Sequence, residues 1–272
     1  MEGTMSTGYV IRGGEQGRAR SGIIARALWP DTERLLVTAG LTSGMRCLDV
    51  GCGGGDVTFG MARMVGPSGH VTGIDLDDVK VQLGRREAER EHLGNVDFRV
   101  ASVDQLEDVA AFDLTYSRFL LTHLPDPAAA LRRMVRATRT GGVVVVEDID
   151  HSGIFSHPPC PALEQHVSLY NRVVRLKGAD PELGSKLPAL FRQVGLSGAH
   201  LSHVQPVFLD GEAKRVHQIT LENIAAALVA SSLATDAELE TLIRALDEFV
   251  ERADTIVSFP RVFQVWARRT PT

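Results

Sequence analysis

The chain is poor in lysine, in cysteine and in long apolar runs. Only four of its 29 basic residues are lysine (Lys80, Lys177, Lys186 and Lys214), and the formal net charge is −5 over 272 residues. A general nucleic-acid binder carries a basic field, so this balance argues against one, and the arginine skew itself reads as codon bias. The cysteines (Cys47, Cys52 and Cys160) are three in number and form no CxxC pair, which argues against a disulfide framework and against a structural zinc site. No stretch of about 18 uncharged apolar residues exists, so no membrane span is expected. The opening Met1-Glu2-Gly3-Thr4-Met5 lacks a basic region followed by an apolar run, so no signal peptide is expected and the predicted location is cytoplasmic. What is present is a folding composition, 44% hydrophobic and 23% charged, of a length that fits one large α/β domain, or one domain plus an elaborate cap.

Short apolar runs alternate with helical stretches. The first thirty residues are rich in glycine and arginine, and a helix is predicted over about 21–39. Strands are predicted at Cys47–Val50, Val71–Asp75, Val96–Val100, Phe112–Ser117 and Gly142–Asp148, the last carrying four consecutive valines. The helices expected among them cover Val57–Val65, about Asp78–His92 and Ala128–Thr138. Apolar strands without period-2 polarity, alternating with helices, imply a parallel sheet covered on both faces, and right-handed crossovers make it doubly wound. Further on, helices are expected at Ala162–Leu176, Pro181–Val194, Leu221–Ser231 and Asp236–Ala253, with strands at His200–Leu209 and Arg261–Trp266. The expected fold class is a Rossmann-like, seven-stranded, mostly parallel α/β sheet with helical cap insertions. The division reads as a lid segment and helix over 1–45, a cofactor-binding core over 46–150, and completion of the sheet over 151–272, with substrate-cap insertions near 151–180 and 214–253.

The sharpest signal is Leu48-Asp49-Val50-Gly51-Cys52-Gly53-Gly54-Gly55, at the turn from the first strand to the first helix of the alternation. Ligands of open α/β sheets bind beyond the carboxyl ends of strands at the switch point, where this turn lies. Glycines let a backbone approach a ligand closely, and the helix start offers unpaired N–H groups. Asp75, at the end of the second strand, suits a pair of ribose hydroxyls. A dinucleotide G-x-G-x-x-G counted from Gly51 places Asp56 where its third glycine belongs, and an acid there repels a pyrophosphate. A cationic cofactor without phosphate fits better.

Asp49-x-Gly51-x-Gly53-x-Gly55 with Asp75 resembles the class I S-adenosylmethionine-dependent methyltransferases, in particular the small-molecule branch similar to the ubiquinone and menaquinone C-methyltransferases. The likeness covers roughly residues 9–148 and includes Asn95 to Leu106, Phe112-Asp113-Leu114, His123-Leu124-Pro125-Asp126-Pro127 and Thr140-Gly141-Gly142. The resemblance implies that S-adenosyl-L-methionine is the cofactor and S-adenosylhomocysteine the product. Gly51 and Gly53 would pass under its methionine and ribose, Asp75 would hold the ribose hydroxyls, and Leu76 would pack on the adenine. Ser102, followed by Val103, stands where the family usually has an aspartate for the adenine amino group. Ser117 and Arg118 would lie beside the methionine moiety. Tyr9 and Arg18 fall where related enzymes fold a lid, and Arg18 could pair with the cofactor's carboxylate.

Methyl transfer from a sulfonium is an in-line displacement, so alignment and exclusion of water matter more than a conspicuous catalytic constellation. His123, just beyond the fourth strand, is the expected base for a phenol or enol proton, against the alternative that it only bonds its own loop. Glu147 and Asp148, at the end of the fifth strand, are candidates to orient an acceptor, against the alternative of a helix cap or a salt bridge. His151, His157, Cys160 and His166 match no familiar zinc spacing, and no metal is expected. Phe155, Leu163, Leu169, Tyr170 and Phe208 are candidates for an apolar acceptor pocket, or plain core. The resulting expectation is a small-molecule methyltransferase, a monomer or homodimer, whose acceptor is an apolar or aromatic secondary metabolite methylated on oxygen ahead of carbon or nitrogen. Two alternatives stay open. One is a protein of this fold that keeps the cofactor structurally and catalyses a cyclisation or binds a partner. The other is a nucleic-acid methyltransferase, disfavoured because Ser117-Arg118-Phe119-Leu120 stands where an Asn/Asp-Pro-Pro-aromatic tetrad belongs.

Overall fold

The computed structural model describes residues 14–271, with side chains from Gly17 onward. Tyr9 lies outside the described residues. In chain order the elements are α1 (Gly14–Ala39), β1 (Arg46–Val50), α2 (Asp56–Val65), β2 (His70–Asp75), α3 (Asp78–Arg90), β3 (Val96–Val100), β4 (Phe112–Arg118), α4 (Pro127–Ala137) and β5 (Thr138–Asp150). There follow β6 (Ser156–His157), α5 (Pro161–Leu176), α6 (Leu187–Gln193), β7 (His200–Val204), β8 (Val207–Phe208), α7 (Val216–Ala230), α8 (Asp236–Glu251), β9 (Ile256–Ser258) and β10 (Arg261–Arg268).

The main sheet has seven strands in the order β3-β2-β1-β4-β5-β10-β7. The first five pair in parallel, while β10 runs antiparallel to both β5 and β7. The chain winds outward from β1 to β3, then returns past β1 to β4, so the switch point lies between β1 and β4. Register sets Val50 beside Ile74 and Ser117, which brings the glycine turn level with Asp75 and Arg118. This is the doubly wound, mostly parallel sheet that the run of apolar strands implies.

Alternate strand residues face opposite layers. Cys47, Leu114, Tyr116, Val143 and Val145 pack under Leu35 and Leu36 of α1 and Met61 and Val65 of α2. Leu48, Val144, Val146 and Val265 pack under Leu131 and Met134 of α4 and Leu187 and Phe191 of α6. Each such buried side chain contributes about 1.5–3 kcal/mol, so the two apolar faces dominate the stability. A third cluster joins α5, α7 and α8 through Leu169, Val173, Leu221, Ile224, Leu242 and Leu246. The first half of α1 bridges the sheet edge to this layer, Arg20 Nε donating to Thr220 Oγ1 of α7 at 2.9 Å.

Two predicted elements differ. The expected helix over Pro181–Val194 is a 3₁₀ turn (Gly184–Lys186) followed by the short α6. Gly184 runs so close to β5 that a Cβ there would stand 2.6 Å from the Asp148 carbonyl oxygen, and Pro188 opens α6. The expected strand over His200–Leu209 breaks at Gln205-Pro206. β7 stays in the main sheet and β8 crosses to a small sheet ordered β6-β9-β8. Pro206 has no N–H for a ladder, and Gln205 Nε2 instead donates to the carbonyls of Gly153 (2.7 Å) and Phe259 (3.1 Å). Among the described residues, no helix is long and apolar enough to cross a membrane.

Candidate active site

The glycine turn adopts a backbone that side chains resist. Gly51, Gly53 and Gly55 have φ values of 76°, 55° and 90°, the left-handed region in which a Cβ is penalised. At Gly55 a Cβ would also stand 2.6 Å from the Phe98 ring, whereas at Gly53 it would meet nothing within 4 Å. Gly55 therefore answers to packing, and Gly53 faces open space.

Asp75 is fixed by its neighbours. Its Oδ2 accepts from the Gly53 N–H and its Oδ1 from the Asp77 N–H, both at 2.8 Å. Each oxygen keeps acceptor capacity for a further donor. Next to it, Leu76 is 56% exposed, an apolar side chain held out at the strand end. Ser102 caps a 3₁₀ turn (Val103–Gln105): its Oγ accepts from the Asp104 N–H at 3.2 Å, and Gln105 Oε1 accepts from the Ser102 N–H at 3.1 Å. Val103 is buried beneath. Asp49, one turn inside β1, accepts from Thr58 Oγ1 at 2.7 Å, and burial raises its carboxyl to about 6 despite that bond and the Arg118 charge.

Arg18 lies over this turn, its stem covering Gly54. Its guanidinium pairs with Asp56, in the first turn of α2, at 2.6 Å. Asp56 suits the positive end of that helix, and it gives Arg18 an ion-pair partner within the protein. Ser117 Oγ is fully buried and has no hydrogen-bond partner among the described residues. Arg118 turns toward α1, donating to Thr32 Oγ1 at 3.2 Å and lying 5.6 Å from the Phe119 ring centroid. Phe119 itself has φ 56°, strain concentrated at the end of β4.

His123 closes a 3₁₀ turn (Leu121–His123) at this same edge and is 6% exposed. Burial, then the charges of Arg20 and Lys80, bring its imidazolium down to about 3. The titration near neutrality expected of it is thus displaced: the ring is neutral across the physiological range. Glu147 and Asp148 are engaged inside the protein. Glu147 accepts from Tyr116 Oη (2.6 Å) and Gln264 Nε2 (3.1 Å). Asp148 accepts from the Thr122 and Ile149 N–H groups, and its burial raises it to about 7. Both are held by hydrogen bonds within the protein.

The apolar lining expected from the sequence does not assemble. Phe155 is 44% exposed, Leu163 and Leu169 belong to the α5–α7–α8 core, and Phe208 packs with Ile24, Leu28 and Phe259. Instead the structure gathers His151, His166, His217 and Tyr170 beside Arg20. His151 stacks on Tyr170 at 4.1 Å between centroids, and His166 meets His217 edge-on at 5.5 Å. His157 is exposed and Cys160 sits in apolar core, so neither joins them. Among the described residues, no group of three His, Cys, Asp or Glu side chains could hold a metal. Arg20, Lys80 and His217 carried no local signal; they meet only through tertiary packing.

Three features fit S-adenosylmethionine: open space above Gly53, a ribose-ready carboxylate clamped at Asp75 on one side of β1, and the Ser117 hydroxyl, unpartnered among the described residues, on the other. The family described as "Methyltransferase domain" matches residues 41–195. Demethylmenaquinone methyltransferase of Staphylococcus aureus is 32% identical over 145 residues, 52% of this chain and 56% of that protein, so the match spans about half of each. Among solved structures, Haemonchus contortus phosphoethanolamine N-methyltransferase 2 with S-adenosyl-L-methionine superposes with a TM-score of 0.58 at 16% identity, covering 93% of this chain and 57% of that one. The [4+2]-cyclase SpnF superposes with a TM-score of 0.54 at 19% identity over 88% of this chain and 81% of that one. At these identities the structures speak for the fold alone. The chain belongs to the methyltransferase-domain family, on the class I fold, and its cofactor is S-adenosylmethionine.

Proposed function

We propose that the protein methylates an oxygen atom of an aromatic small molecule and releases S-adenosylhomocysteine. The observation that carries this reading is the left-handed glycine turn with Asp75 clamped beside it by two backbone N–H groups. Gly51 and Gly53 would run under the methionine and ribose, Asp75 would accept from the ribose hydroxyls, and Leu76, Ser102 and Val103 would border the adenine. Ser117 and Arg118 would flank the methionine end, with Tyr9 and Arg18 in the covering segment. The cofactor, when bound, supplies a methyl group activated on a sulfonium. The chain's own residues hold the acceptor in line and exclude water, which can supply roughly 7–11 kcal/mol of the barrier. His123, neutral at this edge, would orient the acceptor oxygen as a hydrogen-bond partner. An aromatic acceptor is supported by the demethylmenaquinone methyltransferase likeness, and a small molecule rather than nucleic acid by the net charge of −5.

The test is incubation of the pure protein with methyl-labelled S-adenosylmethionine and a small-molecule extract of the source cells, read by mass spectrometry. A labelled, oxygen-methylated product is expected. A labelled product carrying its methyl group on carbon or nitrogen would overturn the assignment to oxygen.

A further inference from the structure

The crevice wall beyond β4 is carried by residues 119–123. The Phe119 N–H donates to the Glu147 carbonyl at 2.9 Å. Leu120 then lies on the glycine turn, where a Cβ at Gly51 would stand 3.1 Å from Leu120 Cδ2. The segment ends in the turn Leu121–His123, closed by its own bond from the His123 N–H to the Leu120 carbonyl at 2.9 Å. One short stretch thus meets the cofactor turn with Leu120 and carries His123 at its end.

Two fully buried residues, Asp148 and Thr122, hold this stretch in place. Asp148 Oδ2 accepts from the Thr122 N–H at 3.0 Å, and its Oδ1 from the Ile149 N–H at 2.9 Å. Among the described residues, backbone N–H groups rather than a cation meet its oxygens. Burying a carboxyl in this way is costly, and the turn's form does not call for it, since the turn closes on its own bond. What Asp148 adds is the turn's place on β5. Thr122 adds a second fixture. Its Oγ1 donates to the Asp180 carbonyl at 2.6 Å, and its carbonyl accepts from the Asp180 N–H at 3.2 Å. Asp180, between α5 and α6, is itself held by the Glu182 N–H at 3.0 Å and by Lys186.

We propose that Thr122 and Asp148 are positioning residues for methyl transfer, fixing residues 119–123 against the glycine turn so that His123 stands at the methyl group of the bound cofactor. Displacement at a methyl carbon tolerates little misplacement: about 1 Å can lower a rate about 100-fold. Side chains that meet a ligand keep such a tolerance only when groups bonded behind them fix their place. This rests on the reading above that gives His123 the acceptor oxygen, and it deepens that reading. Cofactor affinity belongs to Asp75 and the glycines, whereas alignment belongs to Thr122 and Asp148, with the Asp180 backbone behind them.

The test uses the full chain with S-adenosylmethionine carrying carbon-13 in its sulfonium methyl group, observed by NMR. It is run at about pH 8, above the value of about 7 to which burial raises Asp148. Nuclear Overhauser contacts from that methyl group are expected to the Leu120 methyls and the His123 ring, alongside reference contacts to Gly51. Thr122→Val keeps the side chain's shape and removes its hydroxyl. It should lose the His123 contact, keep the Gly51 contacts, and hold cofactor affinity by calorimetry within about twofold. Thr122→Ser keeps the hydroxyl and should show the His123 contact. Asp148→Asn turns an NH₂ toward one of the two N–H groups and should lose that contact too; it decides the matter where Thr122→Val does not fold. A purely structural role would lower the melting temperature and leave the contact unchanged in the folded variants, which overturns the proposal. So does a wild-type complex whose methyl group shows no contact to His123, or a Thr122→Ser variant that lacks it as Thr122→Val does. A product methylated on carbon or nitrogen would instead overturn the oxygen assignment and leave these contacts in place.

Discussion

Acidification is expected to destabilise this fold through its buried imidazoles. Burial brings His123 down to about 3 and His217 to about 4, and holds His151 and His166 well below their ordinary value of 6.5. The charge of Arg20 acts in the same direction on all four, and the two neighbouring histidines reinforce it at His166. In the unfolded chain each takes a proton as pH falls through about 6.5. Their stabilising contribution is therefore complete above that pH and is lost as pH drops toward the folded values. Two buried carboxyls oppose this. Burial raises Asp49 to about 6 and Asp148 to about 7, so near pH 5 the folded chain keeps two protons that the unfolded chain has released. That contribution is present in acid and is lost as pH rises through those values. Near pH 5 the unfolded state then holds about four extra protons on histidine and the folded state about two on aspartate, a net difference of about two. At about 1.4 kcal/mol per proton per pH unit, stability should fall by about 3 kcal/mol for each unit below pH 6. Against a total of about 5–15 kcal/mol this is a large fraction. Urea denaturation followed by circular dichroism at constant ionic strength, between pH 7.5 and 5, measures it. His166→Phe removes one of the four protons and should lower the slope by about 1.4 kcal/mol per unit. Stability that is flat or rising from pH 6.5 to 5, or a slope unchanged in His166→Phe, would refute the reasoning.

Other outcomes follow from the glycine turn and its cover. Asp75→Asn turns one amide NH₂ toward a backbone N–H, of Gly53 or of Asp77, and removes the charge; S-adenosylhomocysteine affinity by calorimetry should fall about 100-fold, or about 3 kcal/mol. A loss under about threefold would take Asp75 out of the site. Gly53→Ala should cost stability only about 1–2 kcal/mol for its left-handed backbone, yet sharply weaken cofactor binding, because its Cβ enters open space. Gly55→Ala should cost more stability in a thermal melt, since its Cβ meets Phe98; the reverse ranking would mean that Gly53 does not face the cofactor. Arg18→Met, which breaks an ion pair about a quarter exposed, should change stability by about 1 kcal/mol or less. Stopped-flow displacement should show faster cofactor dissociation from that variant, and an unchanged rate would mean that Arg18 does not cover the bound ligand.

The sheet and the glycine turn were legible because their signals are local. Strand β5 announces itself through Val143–Val146, and the turn through glycines whose positive φ demands that residue type over a few positions. The break at Gln205-Pro206 was legible in principle, since a proline inside an expected strand is evidence against continuity. Its cause was not: the side-chain bonds of Gln205 reach Gly153 and Phe259, both far off in sequence.

The imidazole cluster shows why contacts made by tertiary packing resist sequence reading. His151 comes from the end of β5, His166 from α5, His217 from α7 and Arg20 from the first turns of α1. Each alone looks like an ordinary polar residue on an amphipathic face, and no spacing links them. The apolar residues that a periodicity argument selects for a pocket, Leu163 and Leu169, are the ones consumed in holding α5 against α7 and α8. A helical cap must first bury an apolar stripe to stand at all, so its strongest hydrophobic pattern reports its own core. The residues with polar atoms inside that core are those that interrupt the pattern. His166, buried between Leu163 and Leu169 with both ring nitrogens unpaired among the described residues, is such an interruption. In this fold the cofactor half follows from what the backbone requires, whereas the buried polar groups that interrupt the apolar stripe of α5 meet their neighbours only through tertiary packing.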